Sequence, residues 1–165
     1  MVDAMGDNYY NEIAPGYDEL HGEEQLRKAR IVLENIEISP SDALLDVGCG
    51  NAKYLSIFPC RKIGIDPAHK LLGQADVSVV HGVAEKLPFS ENEFDIVLSL
   101  TAIHNFDDFR AGLREMLRVS RRDIVVSVLK KSLKFTDIER AVSDILPLRR
   151  RVEDVHDAIF FARKV

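Results

Sequence analysis

Apolar residues along the chain fall into two alternating patterns. Five short runs are apolar at nearly every position: Ala43-Leu44-Leu45-Asp46-Val47, Ile63-Gly64-Ile65-Asp66, Val77-Ser78-Val79-Val80, Phe94-Asp95-Ile96-Val97-Leu98-Ser99 and Ile124-Val125-Val126-Ser127-Val128-Leu129. Continuous β-branched runs of this kind suit strands covered on both faces, as in a parallel sheet. Between the fourth and fifth runs, Phe109, Leu113, Met116 and Leu117 recur at helical spacing, with Arg110, Arg114, Glu115 and Arg118 on the other face. That pattern predicts an amphipathic crossover helix whose stripe is core. After the fifth run a helix is expected over Asp137 to Leu146, stopped by Pro147. Arg149 to Val155 and Ala158 to Ala162 read as two closing antiparallel strands, joined by a turn near His156-Asp157. Two helices, 8–14 and 22–36, open the chain on either side of Pro15-Gly16. The second carries Leu26, Ala29, Ile31, Leu33 and Ile36 along one stripe. The expectation is an α/β protein with a seven-stranded sheet.

Length and composition narrow this further. With 165 residues, 46% of them hydrophobic, the chain suits one domain, 1–165, made of an N-terminal helical cap over 1–38 and a core over 39–165. No apolar stretch reaches the length of a membrane span, so no membrane association is expected. The N-terminal Met1-Val2-Asp3-Ala4-Met5-Gly6-Asp7 has no apolar segment of signal type, and the expected location is cytoplasmic. Cys49 and Cys60 are too few for a disulfide framework and do not form a zinc motif. The net charge of −5 is uneven: residues 1–100 hold 17 acids and 8 bases, residues 101–165 hold 10 acids and 14 bases. The bases cluster at Arg118, Arg121 and Arg122, at Lys130, Lys131 and Lys134, and at Arg149-Arg150-Arg151. Taken alone, these are better read as solvated helix ends and loops than as a polyanion site.

The chemistry concentrates at the ends of the strands. Asp46-Val47-Gly48-Cys49-Gly50-Asn51 closes the first strand and is expected to lead into a helix. Its glycines let the backbone turn sharply and let a ligand come close. In an open α/β sheet a cofactor sits at these carboxyl ends. The dinucleotide pattern GxGxxG is not completed, because Lys53 holds the third glycine's place, and a phosphate-binding GxxxxGK[ST] is absent. Asp66, followed by Pro67 at the end of the second strand, is placed to accept hydrogen bonds from a ribose diol. Ala84-Glu85-Lys86-Leu87-Pro88-Phe89 follows the third strand, where backbone could meet a purine edge and apolar side chains could wall the ring.

These three elements, in this order, resemble the S-adenosylmethionine-dependent methyltransferases of the Rossmann-like class, methyltransferase type 11-like. The resemblance runs from about Tyr9, through Tyr9 to Asp18, to the fifth strand. It implies a three-layer αβα fold with strand order 3-2-1-4-5-7-6 and strand seven antiparallel. It also implies S-adenosyl-L-methionine as cofactor and S-adenosyl-L-homocysteine as product. Carried over by position, Gly48, Cys49 and Gly50 would approach the methionine portion, and Asp46 would hold its ammonium through water or the loop. Asp66 and Pro67 would meet the ribose, while Val83, Ala84, Glu85 and Leu87 would surround the adenine, with Phe89 supporting it. Ser99 and Leu100 would border the sulfonium, and Tyr17 would close over the carboxylate. Many relatives have an acid where Val83 stands, so adenine selectivity would rest on backbone or on Glu85.

A finer resemblance joins Gly48-Cys49-Gly50-Asn51-Ala52-Lys53-Tyr54-Leu55 to Ile103-His104-Asn105-Phe106. It is similar to the subgroup that methylates carboxymethyl groups on the wobble uridine of tRNA, with Asn105 in place of a second histidine. It implies tRNA as the preferred acceptor and a small zinc-binding activator subunit as partner, with a small quinone-type molecule as the alternative acceptor. His104 could orient the acceptor or take a proton, or it could simply pack the following helix; Asn105 is its companion. Cys49 reads as a small buried side chain rather than a nucleophile. A carboxylate acceptor needs no base, and candidate bases beyond His104 are scarce. The Asn-Pro-Pro-Tyr of nitrogen methylation is missing at Ser99-Leu100-Thr101-Ala102. A cofactor-binding subunit without its own activity, and a dehydrogenase, are the readings from other classes.

Overall fold

The computed structural model describes residue 9, residues 11–12 and residues 14–165, with the side chains of residues 17–20 outside the description. Seven strands form one sheet: β1 (Ala43–Val47), β2 (Arg61–Asp66), β3 (Ser78–His81), β4 (Phe94–Leu100), β5 (Ser120–Leu129), β6 (Leu148–Glu153) and β7 (Asp157–Arg163). Their order is β3-β2-β1-β4-β5-β7-β6. The first five run parallel, and β7 is antiparallel to both β5 and β6. Order and strand direction are those the family resemblance implies.

The sheet has a core on each face because its central strands are apolar at consecutive positions. Leu45, Val47, Val97, Ile124 and Val126 face one layer, where they meet Leu113 and Met116 of α3 (Phe109–Val119) and Ile138, Ala141 and Val142 of α4 (Phe135–Ile145). Leu44, Ile96, Leu98, Leu100 and Val125 face the opposite layer, packing with Ala29 and Val32 of α1 (Tyr17–Asn35) and with Leu55 and Phe58. The pleat sends alternate side chains to opposite faces, so both cores come from one run of residues. α3 starts at the Asp108 side chain, which accepts the Ala111 N–H at 3.0 Å and satisfies one free helix-terminal donor.

Several boundaries differ from expectation. α1 begins at Tyr17 and runs through Gly22; the helix expected over 8–14 falls partly on residues outside the described set. β5 starts at Ser120, directly after α3, because its polar opening Ser120-Arg121-Arg122-Asp123 is held by pairing and charge. Ser120 pairs with Phe94, and Arg122 bridges Asp42 and Asp123 at 3.0 and 2.7 Å. The closing hairpin turns at Asp154 to His156, since Asp157 already belongs to β7. The layers are thin between β1 and β4: only α2 (His69–Leu72) joins β2 to β3, and no helix joins β3 to β4.

The basic clusters are largely engaged within the chain. Arg118 pairs with Glu115 at 2.6 Å and donates to the Phe89 and Leu87 carbonyls. Arg151 pairs with Glu139 and Glu153 and lies 5.3 Å from the Phe160 ring centroid. No helix among the described residues is long and apolar enough to cross a membrane.

One close approach links this packing to the ends of the strands. A Cβ on Gly112, in α3, would fall 2.7 Å from the Phe106 ring. Gly112→Ala improves helix propensity by about 1 kcal/mol, yet the overpacking costs about 1–3 kcal/mol. Urea unfolding is expected to show a net loss of stability, with the Phe106 ring resonances most displaced.

Candidate functional site

The chain leaves β1 through a turn fixed at its far side by β2. The N–H groups of Gly48 and Cys49 both donate to the Ile65 carbonyl, at 2.8 and 3.1 Å, and the Gly50 N–H donates to Asp66 Oδ2 at 2.9 Å. Gly48 and Gly50 have φ of +78° and +58°, in the left-handed region that glycine enters without penalty. A Cβ on Gly48 would also fall 2.4 Å from that of Ala102, so this position has no room for a side chain. The α-helix expected after the turn is replaced by a short 3-10 turn, Lys53–Ile57. Only thirteen residues separate Val47 from Arg61, and Tyr54 and Leu55 must be buried within them. The turn therefore presents backbone at its glycines rather than a long helix N-terminus.

Two clefts open above the carboxyl ends of the parallel strands, and both are lined by Gly48, Pro67, Asn105 and Phe106. The larger, of about 180 Å³, continues over Gly50, Asp66 and Leu100 to α1. The smaller, of about 30 Å³, is bounded by Gly82, Val83, Ala84 and Glu85. Asp66 stands at the rim of the larger cleft, its Oδ1 accepting the Ala68 N–H at 2.7 Å. A carboxylate accepts at about four positions, which suits a ligand diol. Glu85 accepts the Asp108 N–H at 3.2 Å.

Of the residues read from the sequence, Gly48, Gly50, Asp66, Pro67, Leu100, His104 and Asn105 meet at the larger cleft. Val83, Ala84 and Glu85 meet at the smaller one. Four others lie beneath the surface. Cys49 packs over Gly64, and burial, with Asp46 and Asp66 nearby, pushes its thiol well up, which suits packing and not attack. Leu87 belongs to the core under α3, and Ser99 is fully buried, its hydroxyl with no partner among the described residues. Asp46 is fully buried too: its Oδ2 accepts the Tyr54 hydroxyl, and its Oδ1 has no partner among the described residues. It can influence a ligand only through the turn above it. The Tyr17 side chain lies outside the described residues.

The sequence reading missed one wall. His21, Glu24, Gln25 and Lys28 share one face of α1 and line the larger cleft, opposite Thr101 and His104. The signal was available, because polar residues at i, i+3, i+4 and i+7 make a stripe as regular as an apolar one. It is hidden by the apolar stripe one step around the helix. His21 is held below the ordinary histidine range, mainly by burial and in part by Lys28, while Glu24 opposes the shift.

Strand order, the antiparallel seventh strand and a glycine turn beside an acid-tipped second strand define a Rossmann-like methyltransferase fold. The chain belongs to the methyltransferase domain family, whose model matches residues 45–128. An uncharacterized methyltransferase of Synechocystis sp. is 40% identical over 91 residues, which are 50% of this chain and 42% of that protein. The demethylmenaquinone methyltransferase of Corynebacterium glutamicum is 31% identical over 131 residues, 73% of this chain and 54% of that one. The chain spans about half the length of these curated relatives. In the complex between the Haloferax volcanii Trm112 methyltransferase activator and a methyltransferase, one chain superposes with a TM-score of 0.80 at 16% identity. The match covers 93% of this chain and 96% of that one, and it shows the shared fold.

Two predictions follow from this geometry. Gly48→Ala must adopt a strained φ and push Ala102 aside, costing about 1–3 kcal/mol. Urea unfolding is expected to show that loss of stability, and an unchanged midpoint would contradict it. Burial, aided by Asp66, holds the Asp46 carboxyl well above the usual carboxylate range. A raised native pKa contributes stability that is present below the unfolded value, about 3.9, and is lost as pH climbs through the native value. Asn does not titrate, so Asp46→Asn should gain thermal stability relative to the parent between pH 5 and pH 8. A Tm difference that is constant across that range would contradict this.

Proposed function

We propose that the chain is an S-adenosylmethionine-dependent methyltransferase. The observation that carries this reading is the pair of clefts joined at Gly48 over the ends of β1, β2 and β4, with the Asp66 carboxylate at the rim. The site fits the cofactor in its parts. Gly48 and Gly50 would bring main chain within reach of the methionine portion, Asp66 would accept hydrogen bonds from the ribose hydroxyls, and the backbone of Val83 to Glu85 would meet the adenine. When bound, S-adenosylmethionine supplies a methyl group made electrophilic by its sulfonium.

The protein's share of the work is alignment and exclusion of water. Leu71, Leu100, Phe106 and Leu129 give the larger cleft apolar walls. Holding acceptor and methyl in line is worth about 7–11 kcal/mol. His104 and Asn105, in the 3-10 turn Ile103–Asn105 after β4, stand where the acceptor enters and orient it.

A small quinone-type acceptor takes precedence over tRNA. The named relatives include demethylmenaquinone methyltransferases. The tRNA reading rests on Gly48 to Leu55 and Ile103 to Phe106, and the neutralised Arg118, Arg122 and Arg151 lend it no support. The complex of a fold neighbour with the Trm112 activator supports an activator subunit as a partner to try.

Calorimetry is expected to give saturable, one-site binding of S-adenosylhomocysteine and S-adenosylmethionine. No binding by the folded protein would overturn the reading, and stabilisation by NAD alone would replace it with a dehydrogenase. Labelled methyl transfer is then measured into lipid and metabolite extract and into total RNA, with and without a zinc-binding activator. Label in the extract is expected. Label in RNA alone would restore the tRNA acceptor, and cofactor binding without transfer into either would leave a non-catalytic subunit.

A further inference from the structure

The polar face of α1 presents a chemistry that cofactor binding does not explain. Lys28 is 1% exposed, and its ammonium donates to the Thr101 hydroxyl while pairing with Asp157 Oδ1 and Glu24 Oε1, each at 3.4 Å. Asp157 is fully buried. A buried pair of this kind is poor evidence for stability, because apolar residues of similar volume would serve as well. It lies, however, against the larger cleft, just beyond the end of β4.

The backbone is also constrained here. Thr101 has a φ of +52°, unfavourable for a β-branched residue. Its N–H donates to Ser127 Oγ and its hydroxyl donates to Asp157 Oδ2, both at 2.7 Å. Strain of this type persists only where surroundings over-determine it, and it clusters at functional sites. Thr101 thus takes one of the ammonium donor directions, and the buried Asp157 carboxylate balances the charge from 3.4 Å without a hydrogen bond. Glu24, whose side chain is 29% exposed, is the replaceable charge partner. Next to Lys28 on the same face, Gln25 is 8% exposed. Its Nε2 donates to the Leu100 carbonyl at 3.2 Å, and its Oε1 is buried with no partner among the described residues.

We propose that Lys28 is the acceptor-binding residue that selects an anionic oxygen, a carboxylate or an aryl or enol oxyanion, which displaces Glu24 from the ammonium. Gln25 Oε1 takes a hydroxyl or N–H next to that oxygen. The inference rests on the methyl-transfer reading only in calling this ligand the acceptor. In the resting cleft Glu24 stands in for the substrate anion, and Lys28 with Asp157 keeps the buried site neutral.

The test follows the Lys28 ammonium by NMR of protein labelled at lysine, with and without S-adenosylhomocysteine. The probes are benzoate and 4-nitrophenolate, each against its neutral counterpart, benzamide and 4-nitroanisole. Saturable movement of the Lys28 signal with the anions, at least tenfold weaker with the neutral compounds, is expected. The tighter anion distinguishes a carboxylate from an oxyanion acceptor. Glu24→Gln removes an exposed competitor worth up to about 1 kcal/mol, so anion affinity should tighten by up to about fivefold. The double variant Lys28→Met with Asp157→Asn keeps the buried site neutral and should lose anion binding more than tenfold, with S-adenosylhomocysteine affinity within twofold.

Equal binding of benzamide and benzoate, or unchanged or weaker anion affinity in Glu24→Gln, overturns the proposal even if the double variant does not fold. Displacement of benzoate by S-adenosylhomocysteine, with the Lys28 signal moving on its addition, also overturns it by assigning Lys28 to the cofactor. Anion binding without S-adenosylhomocysteine binding removes the proposed cofactor and leaves the anion site standing.

Discussion

The constraint on which the rest of the structure depends is the turn out of β1. Three consecutive N–H groups, from Gly48 to Gly50, are taken by the end of β2: two by the Ile65 carbonyl and one by the Asp66 carboxylate. That arrangement needs left-handed backbone at both glycines and brings Gly48 against Ala102 at the end of β4. Three strand ends are thereby locked together. The two clefts share Gly48 because this is where the strand ends meet. A loosened turn would release Asp66 from its amide, separate the clefts and uncover the buried Asp46 below.

Around that turn the fold is economical. The connections on the β1-to-β3 side are reduced to a 3-10 turn, the four-residue α2 and a helix-free segment. The opposite half, with α3, α4 and the closing hairpin, is more fully layered. α1 then covers the face left thin, tied across it by Gln25 to Leu100, by a bidentate Arg27–Asp154 pair at 2.9 and 3.0 Å, and by Lys28 to Thr101 and Asp157. The Arg27 hydrogen bond holds the Asp154 carboxyl below the usual carboxylate range. The helix that completes the hydrophobic layer thus also supplies the polar wall of the cleft.

The parallel strands and the glycine turn were legible because each rests on local signals, while the sheet order came from the family resemblance. Continuous apolar runs mark buried parallel strands, and Gly48, Gly50 and Asp66 sit at fixed offsets from strand ends. What sequence obscured depended on contacts across the fold. The opening of β5 reads as polar loop until Arg122 is seen to join Asp42 and Asp123. Asp46 looks like a ligand group, but its alternation with Leu45 and Val47 turns it toward Tyr54. Lys28 and Asp157 are 129 positions apart, and no periodicity in either segment announces their pairing.

The central claim, that one ligand spans both clefts through the turn at Gly48, is tested most directly by backbone amide NMR during titration with S-adenosylhomocysteine. The account predicts that the largest shifts fall together at Gly48, Gly50, Asp66 and Ala84, at the carboxyl ends of the strands. Shifts confined to the opposite end of the sheet, around Asp42 and Arg122, or none at the glycine turn, would contradict it.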